Sequence, residues 1–284
     1  MIIDFHTHIF PDSIANYAME RLENRIKYHP SYDGKIDSLL SNMQKKGIDY
    51  SVVLPIATKP SQVEIINDES IKINKTYKSI IPFGTMHPDY QNYKEELRRL
   101  KENGIKGVKL HPIYQKCDID SPKYIDITKE AFKLNLMVIF HAGLDPGFIG
   151  ALYSSCTKIR SFLNKINLDD GILILAHMGS LLEPNDSYEY ILSKNLYIDT
   201  AMSLGTINTY DGIKDITDID MFLKMIKKHG SDKILFGSDN PWIDSKSMVD
   251  IINDLSIDRC DIDNILYKNA YRLLKIGGKE DELQ

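Results

Sequence analysis

Eight apolar, strand-length runs recur along the 284 residues, and this repetition constrains the fold more than any other feature. They are Ile2–His6, Tyr50–Leu54, Ile80–Gly84, Gly107–Leu110, Leu136–His141, Ile172–His177, Leu196–Asp199 and Ile234–Gly237. A run that is apolar almost throughout, rather than at alternate positions, belongs to a strand buried on both faces, as in a parallel sheet covered by helices. The segments between the runs are read as helical. Ile36, Leu39, Leu40 and Met43 recur at helical period before Gly47, as do Leu97 and Leu100 before Gly104, and Met221, Phe222, Met225 and Ile226 before Gly230. Eight strand–helix units in a chain near the usual ~250 residues predict an α/β fold of the (β/α)8 TIM-barrel type. The competing architecture is an open doubly wound sheet. No glycine-rich phosphate loop follows the first run, which removes only the nucleotide-binding versions of that alternative. Two connections are long: 9–49, with a further helix expected over Ile14–Ile26, and 201–233. One domain over 1–276 with a frayed tail at 277–284 is expected.

Composition narrows the function. The chain is 43% apolar and 26% charged, as an ordinary globular enzyme is, and its net charge of −5 offers no general attraction to nucleic acid or an anionic membrane. No apolar stretch approaches the roughly 18 residues of a membrane span, and no basic leader precedes the first strand, so a cytoplasmic protein acting on a small molecule is expected. Cys117, Cys156 and Cys260 are odd in number and far apart, which reads as reduced, incidental thiols. The terminal Lys279-Glu280-Asp281-Glu282-Leu283-Gln284 resembles a retention signal only superficially, because Gln284 follows the leucine. A homodimer is the default expectation for such an enzyme.

Barrel active sites lie at the carboxyl ends of the strands, so polar residues should gather there. His6 and His8 close the first run, Lys109 and His111 the fourth, His141 the fifth, His177 the sixth and Asp199 the seventh, while Asp239 follows the eighth. Strand alternation turns the imidazoles of His6 and His8 to one side, where two nitrogens can converge on one ion. Taken singly, each histidine is as well explained by a hydrogen-bonded, half-buried role. Taken together with an aspartate after the last strand, they point to a metal centre.

These residues also resemble a known family. Ile3-Asp4-Phe5-His6-Thr7-His8, Gly107-Val108-Lys109-Leu110-His111-Pro112, Phe140-His141-Ala142-Gly143, Ala176-His177-Met178-Gly179, Leu235-Phe236-Gly237-Ser238-Asp239-Asn240-Pro241-Trp242 and Asn269-Ala270-Tyr271-Arg272-Leu273-Leu274 are similar, in order and combination, to the amidohydrolase superfamily. The similarity is to its amidohydrolase-related branch, which includes aminocarboxymuconate-semialdehyde decarboxylase. It implies a divalent metal held by His6, His8, His141 and Asp239, with His177 acting beside it.

Three imidazoles and a carboxylate suit zinc best, with iron, manganese or nickel also compatible. An open coordination position would lower the pKa of bound water toward ~7. Asp239 is then the expected general base and His177 the group that polarises a substrate carbonyl. Lys109 is open to three readings: a carboxylated bridge between two ions, a cation for an anionic substrate, or a structural ion pair. His111 and Trp242 are candidate substrate contacts, each with a packing role as the alternative. Asp199 is expected to orient a loop, and His29, His87 and His229 to be structural. Hydrolysis of an amide, lactone or ester is the expected reaction. Non-oxidative decarboxylation of an aromatic or unsaturated acid is the alternative, set second because no arginine stands at a strand end and Arg160 lies in a helical pattern. A non-catalytic metal-stabilised barrel is the third class.

Overall fold

The computed structural model describes residues 1–148, 150–183 and 187–277, with the backbone alone at 187 and 188. Of the tail expected at 277–284, residues 278–284 lie outside the described residues. Strands β1 (Ile3–Thr7), β2 (Tyr50–Val53) and β3 (Ile80–Pro82) pair in parallel, and β4 (Gly84–Thr85), β5 (Gly107–Leu110), β6 (Met137–Phe140), β7 (Leu173–Leu175), β8 (Tyr197–Asp199) and β11 (Ile234–Leu235) form a second parallel series. β3 and β4 are two pieces of one stave separated by Phe83, whose N–H still donates to Val53 O at 2.9 Å. The ring closes where Phe5 N–H donates to Phe236 O at 2.7 Å and Asp239 N–H to His6 O at 2.9 Å. Eight staves thus make the (β/α)8 barrel.

Helices α1 (Asp12–Ile26), α2 (Ile36–Lys46), α3 (Val63–Thr76), α4 (Tyr93–Glu102), α5 (Pro112–Gln115), α6 (Pro122–Lys133), α7 (Cys156–Leu163), α8 (Ile219–His229), α9 (Ser245–Asn253), α10 (Arg259–Asp263) and α11 (Asn269–Leu274) accompany the strands. Their ends follow local chemistry. Gly47 closes α2 at φ 70°, and the Asp218 side chain accepts from Met221 N–H at 2.9 Å to open α8. Asn269 explains its place in the last motif: its side-chain amide donates to Ser231 O at 2.7 Å and Ile234 O at 2.9 Å, fastening α11 to the eighth stave. No described helix is long and apolar enough to cross a membrane.

Three expectations are corrected. Between β7 and β8 the described residues form only short 3₁₀ turns, His177–Gly179 and Ser187–Ile191, rather than a regular helix; Gly179, at φ 77°, interrupts any helical period after the first of them. Residues 201–233 include a hairpin, β9 (Thr206–Thr209) with β10 (Gly212–Asp215), before α8. Several strands also stop short of the predicted ends: β6 at Phe140, β7 at Leu175 and β11 at Leu235. His141, His177 and Asp239 therefore sit in the turns beyond the ladder. His177 at φ 59° and Asp239 at φ 67° occupy left-handed backbone, which cannot continue a strand.

Two apolar layers hold the barrel. Along β6, Val138 and Phe140 pack toward the helices, while Met137 and Ile139 join Ile3, Phe5, Val52, Leu54, Phe83, Ile174, Ala176 and Leu235 inside the ring. The first stave breaks this alternation. Its register against β2 runs Ile3–Tyr50, Asp4–Ser51, then Thr7–Val53, three steps on one strand against two on the other. That bulge lets Phe5 fill the interior and still brings the next side chain, His6, to the barrel mouth.

Candidate active site

At the carboxyl ends of the strands, two ring nitrogens converge on one carboxylate oxygen. Asp239 Oδ1 lies 3.4 Å from His6 Nε2 and 3.1 Å from His8 Nε2. Four ligand atoms about 2.0–2.2 Å from a tetrahedral ion stand roughly 3.3 Å from one another, so these spacings match a shared metal. The other nitrogen of each ring is already engaged: His8 Nδ1 donates to Leu54 O at 2.9 Å, and His6 Nδ1 donates to Asp199 Oδ2 at 2.8 Å. These partners accept only, which leaves both Nε2 atoms unprotonated and oriented as ligands. Gly237 makes the approach possible, because a Cβ there would fall 2.8 Å from His6 Cβ.

The turn carrying Asp239 is fixed from below. Buried Asp4 accepts from Ser238 Oγ at 2.5 Å and Ser238 N–H at 2.9 Å, and Ser238 Oγ accepts in turn from Asn240 N–H at 3.0 Å. Burial pushes the Asp239 carboxyl up, but a hydrogen bond from His8 and the charge of His6, His8 and His177, whenever those rings take up a second proton, outweigh it and hold the group well below the usual carboxylate range; a cation among the unprotonated rings would act in the same direction. Asp239 is an anion at neutral pH. Burial pushes His6 down to about 4, with Lys109 adding to the effect and Asp199 opposing it.

A second pair of nitrogens completes the centre. His177 Nδ1 lies 3.2 Å from Ala201 O and His141 Nε2 lies 2.8 Å from Leu144 O. A carbonyl oxygen only accepts, so both of those nitrogens carry the proton. The remaining two, His177 Nε2 and His141 Nδ1, face each other at 3.0 Å with lone pairs on both sides. Burial holds both rings toward the neutral form. Two facing lone pairs are repulsive unless a cation lies between or beside them, and the arrangement is suited to a metal.

The amidohydrolase family model matches residues 3–276. The chain belongs to the amidohydrolase family. This is a family of metal-dependent enzymes. No curated protein matches the sequence. Among solved structures, 2,6-dihydroxybenzoate decarboxylase from Rhizobium is 17% identical with a TM-score of 0.70, over 98% of this chain and 99% of that one. An uncharacterized TIM-barrel protein from Bordetella bronchiseptica is 18% identical with a TM-score of 0.75, over 96% of this chain and 98% of that one. A dihydroxybenzoic acid decarboxylase from a Polaromonas species, with bound manganese and the inhibitor 2-nitroresorcinol, is 16% identical with a TM-score of 0.70, over 100% and 99%.

Within the amidohydrolase frame, the other predicted residues fall as follows. Lys109 is fully buried, its Nζ 3.4 Å from His6 Nε2. Burial pushes it down to about 8 against the pull of Asp199 and Asp239. His111 stacks on His141 at 4.1 Å and 15° and on Tyr114 at 4.0 Å and 23°, and Phe148 adjoins Tyr114 at 4.9 Å. His111, His141 and Asp145 have ligand atoms close enough to share an ion. Nearly parallel stacked rings, however, aim their nitrogens in parallel rather than at one point, so the first two histidines form a wall. Trp242 is buried beside Pro30, Ser31, Thr206 and Asn208, in a groove formed by the β9–β10 hairpin and the loop after α1.

His29 pairs with Glu23 and stacks on Tyr210, His87 Nδ1 accepts from Asp89 N–H, and His229 meets Leu196 O. Arg160 lies on α7. Three site groups were missed in the sequence. Asp4 lay in the quoted first motif and carried a signal. Asp145, four residues past His141, and Arg25 of α1, whose guanidinium lies 4.0 Å over the Phe148 ring, carried none that separates them from ordinary loop and helix charges.

Proposed function

We propose that this chain is a metal-dependent decarboxylase of a small aromatic or unsaturated carboxylic acid. The observation that carries the reading is the column of stacked rings His141–His111–Tyr114, with Phe148 tilted 47° against Tyr114, next to His177 and through it to His6 of the convergent His6, His8 and Asp239 set. The faces of His111 are covered by its neighbours, so the column offers ring edges, which suit edge-to-face contact with a planar conjugated acid. Two of the structural neighbours named above are decarboxylases of hydroxylated benzoates, which supports the same choice. The sequence favours hydrolysis only through the lack of an arginine at a strand end. Arg25 weakens that argument, since it reaches the loop beyond β6 from α1.

In this reading, His6, His8 and Asp239 hold one divalent transition metal, with His141 and His177 completing its surroundings. Such an ion, when bound, would supply Lewis-acid charge for a substrate carboxylate. Zinc suits the nitrogen-rich set, and manganese is bound by the Polaromonas neighbour. Lys109 contributes positive charge at the floor of the chamber, and Arg25 contributes it at the rim. His111 and Tyr114 orient the substrate plane. Asp239, an anion at rest, relays the proton: it takes one up from solvent and passes it to the substrate carbon as the bond to the carboxyl group breaks, its low affinity favouring the delivery. The bonding pair passes to that carbon, the proton joins it, and carbon dioxide leaves. His177 presents a lone pair toward His141, so its role is to hold positive charge rather than to polarise a carbonyl.

Hydrolysis is the second reading, favoured by the same convergence of Asp239 with two unprotonated imidazoles, which also suits activation of water. The two are separated by incubating zinc- or manganese-loaded protein with hydroxybenzoates, unsaturated acids, lactones and amides in ¹⁸O-labelled water while trapping gas. Decarboxylation releases one carbon dioxide per substrate consumed. Label in a new product carboxylate without gas overturns the proposal in favour of hydrolysis.

A further inference from the structure

We propose that Asp199 is a positioning residue that holds the ring proton of His6 on Nδ1 and thereby keeps His6 Nε2 free to bind metal. The inference rests on the reading of His6 as a metal-holding residue and adds to it the group that sets its tautomer. Asp199 ends β8 and is fully buried. Its Oδ2 accepts from His6 Nδ1 at 2.8 Å, while Oδ1 accepts from His177 N–H at 2.8 Å and Ala201 N–H at 3.1 Å. The two backbone bonds prevent the carboxylate from turning away from His6. A carboxylate in this position only accepts, so the imidazole has one tautomer available: proton on Nδ1, lone pair on Nε2.

Packing enforces the pairing. The space over Gly237 is shared by His6 and Asp199, whose Cβ atoms would lie 2.8 and 3.4 Å from a Cβ placed there. His6 Nε2 is thereby aimed at Asp239 Oδ1 and Lys109 Nζ, each at 3.4 Å. Both oxygens of Asp199 are occupied by N–H groups, which makes it a partner of a ligand rather than a ligand.

Asparagine at 199 separates this role from plain structural support. Its carbonyl can keep the bonds from His177 N–H and Ala201 N–H, which turns its amide group toward His6 Nδ1. That nitrogen must then accept, and the ring proton moves to Nε2, the metal-facing side. The test uses metal-free protein with ¹⁵N-labelled histidine at pH 7.5, with the His6 signals assigned from their loss in His6→Gln. Long-range proton–nitrogen spectra should show the wild-type proton on Nδ1 and the Asp199→Asn proton on Nε2. Zinc titration should give affinity weaker by about 10- to 100-fold in the variant, as for loss of other metal-site orienting groups.

A wild-type His6 protonated on Nε2 overturns the proposal, and that spectrum decides the matter even if the variant does not fold. So does an Asp199→Asn protein that retains Nδ1–H and binds zinc as tightly as wild type. A tautomer switch without zinc binding to either protein supports the positioning role and refutes the metal reading instead.

Discussion

His141 Nδ1 and His177 Nε2 face each other at 3.0 Å, and each ring has already committed its other nitrogen to a backbone carbonyl. Neutral, both present lone pairs. Protonating either ring opposes the burial that disfavours charge there, whereas a divalent ion beside the pair would relieve the repulsion. Metal removal is therefore expected to lower stability. Chelator-treated protein should unfold at a lower temperature, and zinc or manganese should restore the midpoint in a concentration-dependent way, as mass action requires. Scanning calorimetry checks this; identical midpoints with and without metal count against it.

Replacing His6 and His8 together by alanine should remove the bound metal while leaving a folded barrel, because both stand at the mouth above the apolar interior. Elemental analysis and circular dichroism are the measurements. Full metal retention in the double variant contradicts the assignment.

Lys109 is enclosed next to His6 with no carboxylate oxygen within 4 Å among the described residues. The expected outcome is one ion per chain in both wild type and Lys109→Met, with kcat/KM lower by about 10²-fold in the variant, equivalent to about 2.7 kcal/mol of lost transition-state stabilisation. Two ions in wild type falling to one or none in the variant would instead identify a carboxylated lysine bridge.

Gly237→Ala should be destabilising by about 1–3 kcal/mol, since the new methyl would fall 2.8 Å from His6 Cβ and overpack the closed seam. Urea unfolding measures the loss, and the same protein should bind metal more weakly because His6 moves. An unchanged unfolding midpoint and metal affinity would show that the seam yields without consequence.

Acid sensitivity has a defined sign at His229. Burial pushes its pKa below the ordinary value, against the hydrogen bond to Leu196 O. The unfolded chain therefore binds more protons than the folded one below about pH 6.5, and stability falls as pH drops through that range. His229→Gln can still donate to Leu196 O but does not titrate. Urea midpoints of metal-free protein should drop less between pH 7 and pH 5 in the variant than in wild type, and an equal drop contradicts the assignment.

The barrel was legible because each stave is buried on both faces and so reads as an unbroken apolar run. The mouth was legible because His6, His8, His111, His141, His177 and Asp239 follow those runs. What escaped depends on non-local geometry. Simple alternation along Ile3–His8 misses the bulge that serves both Phe5 and His6. Nothing local marks Asp145 or Arg25, which reach the site from a loop and from a helix far away in sequence. The expected strand ends run long because apolar and small residues continue into the turns, as at Ala176, whose N–H still donates to Phe140 O, and at Gly237, whose N–H turns to Thr200 Oγ1. The imidazole tautomers depend on Leu54, Leu144 and Ala201 carbonyls, which any residue type could supply.

The most direct test of the metal centre is an anomalous-scattering map from crystals of the zinc- or manganese-loaded protein. The account predicts one strong peak about 2.0–2.3 Å from His6 Nε2, His8 Nε2 and Asp239 Oδ1, on the side facing His141 and His177. A peak at His111 and Asp145 instead, or none in protein shown to bind the ion in solution, would contradict it.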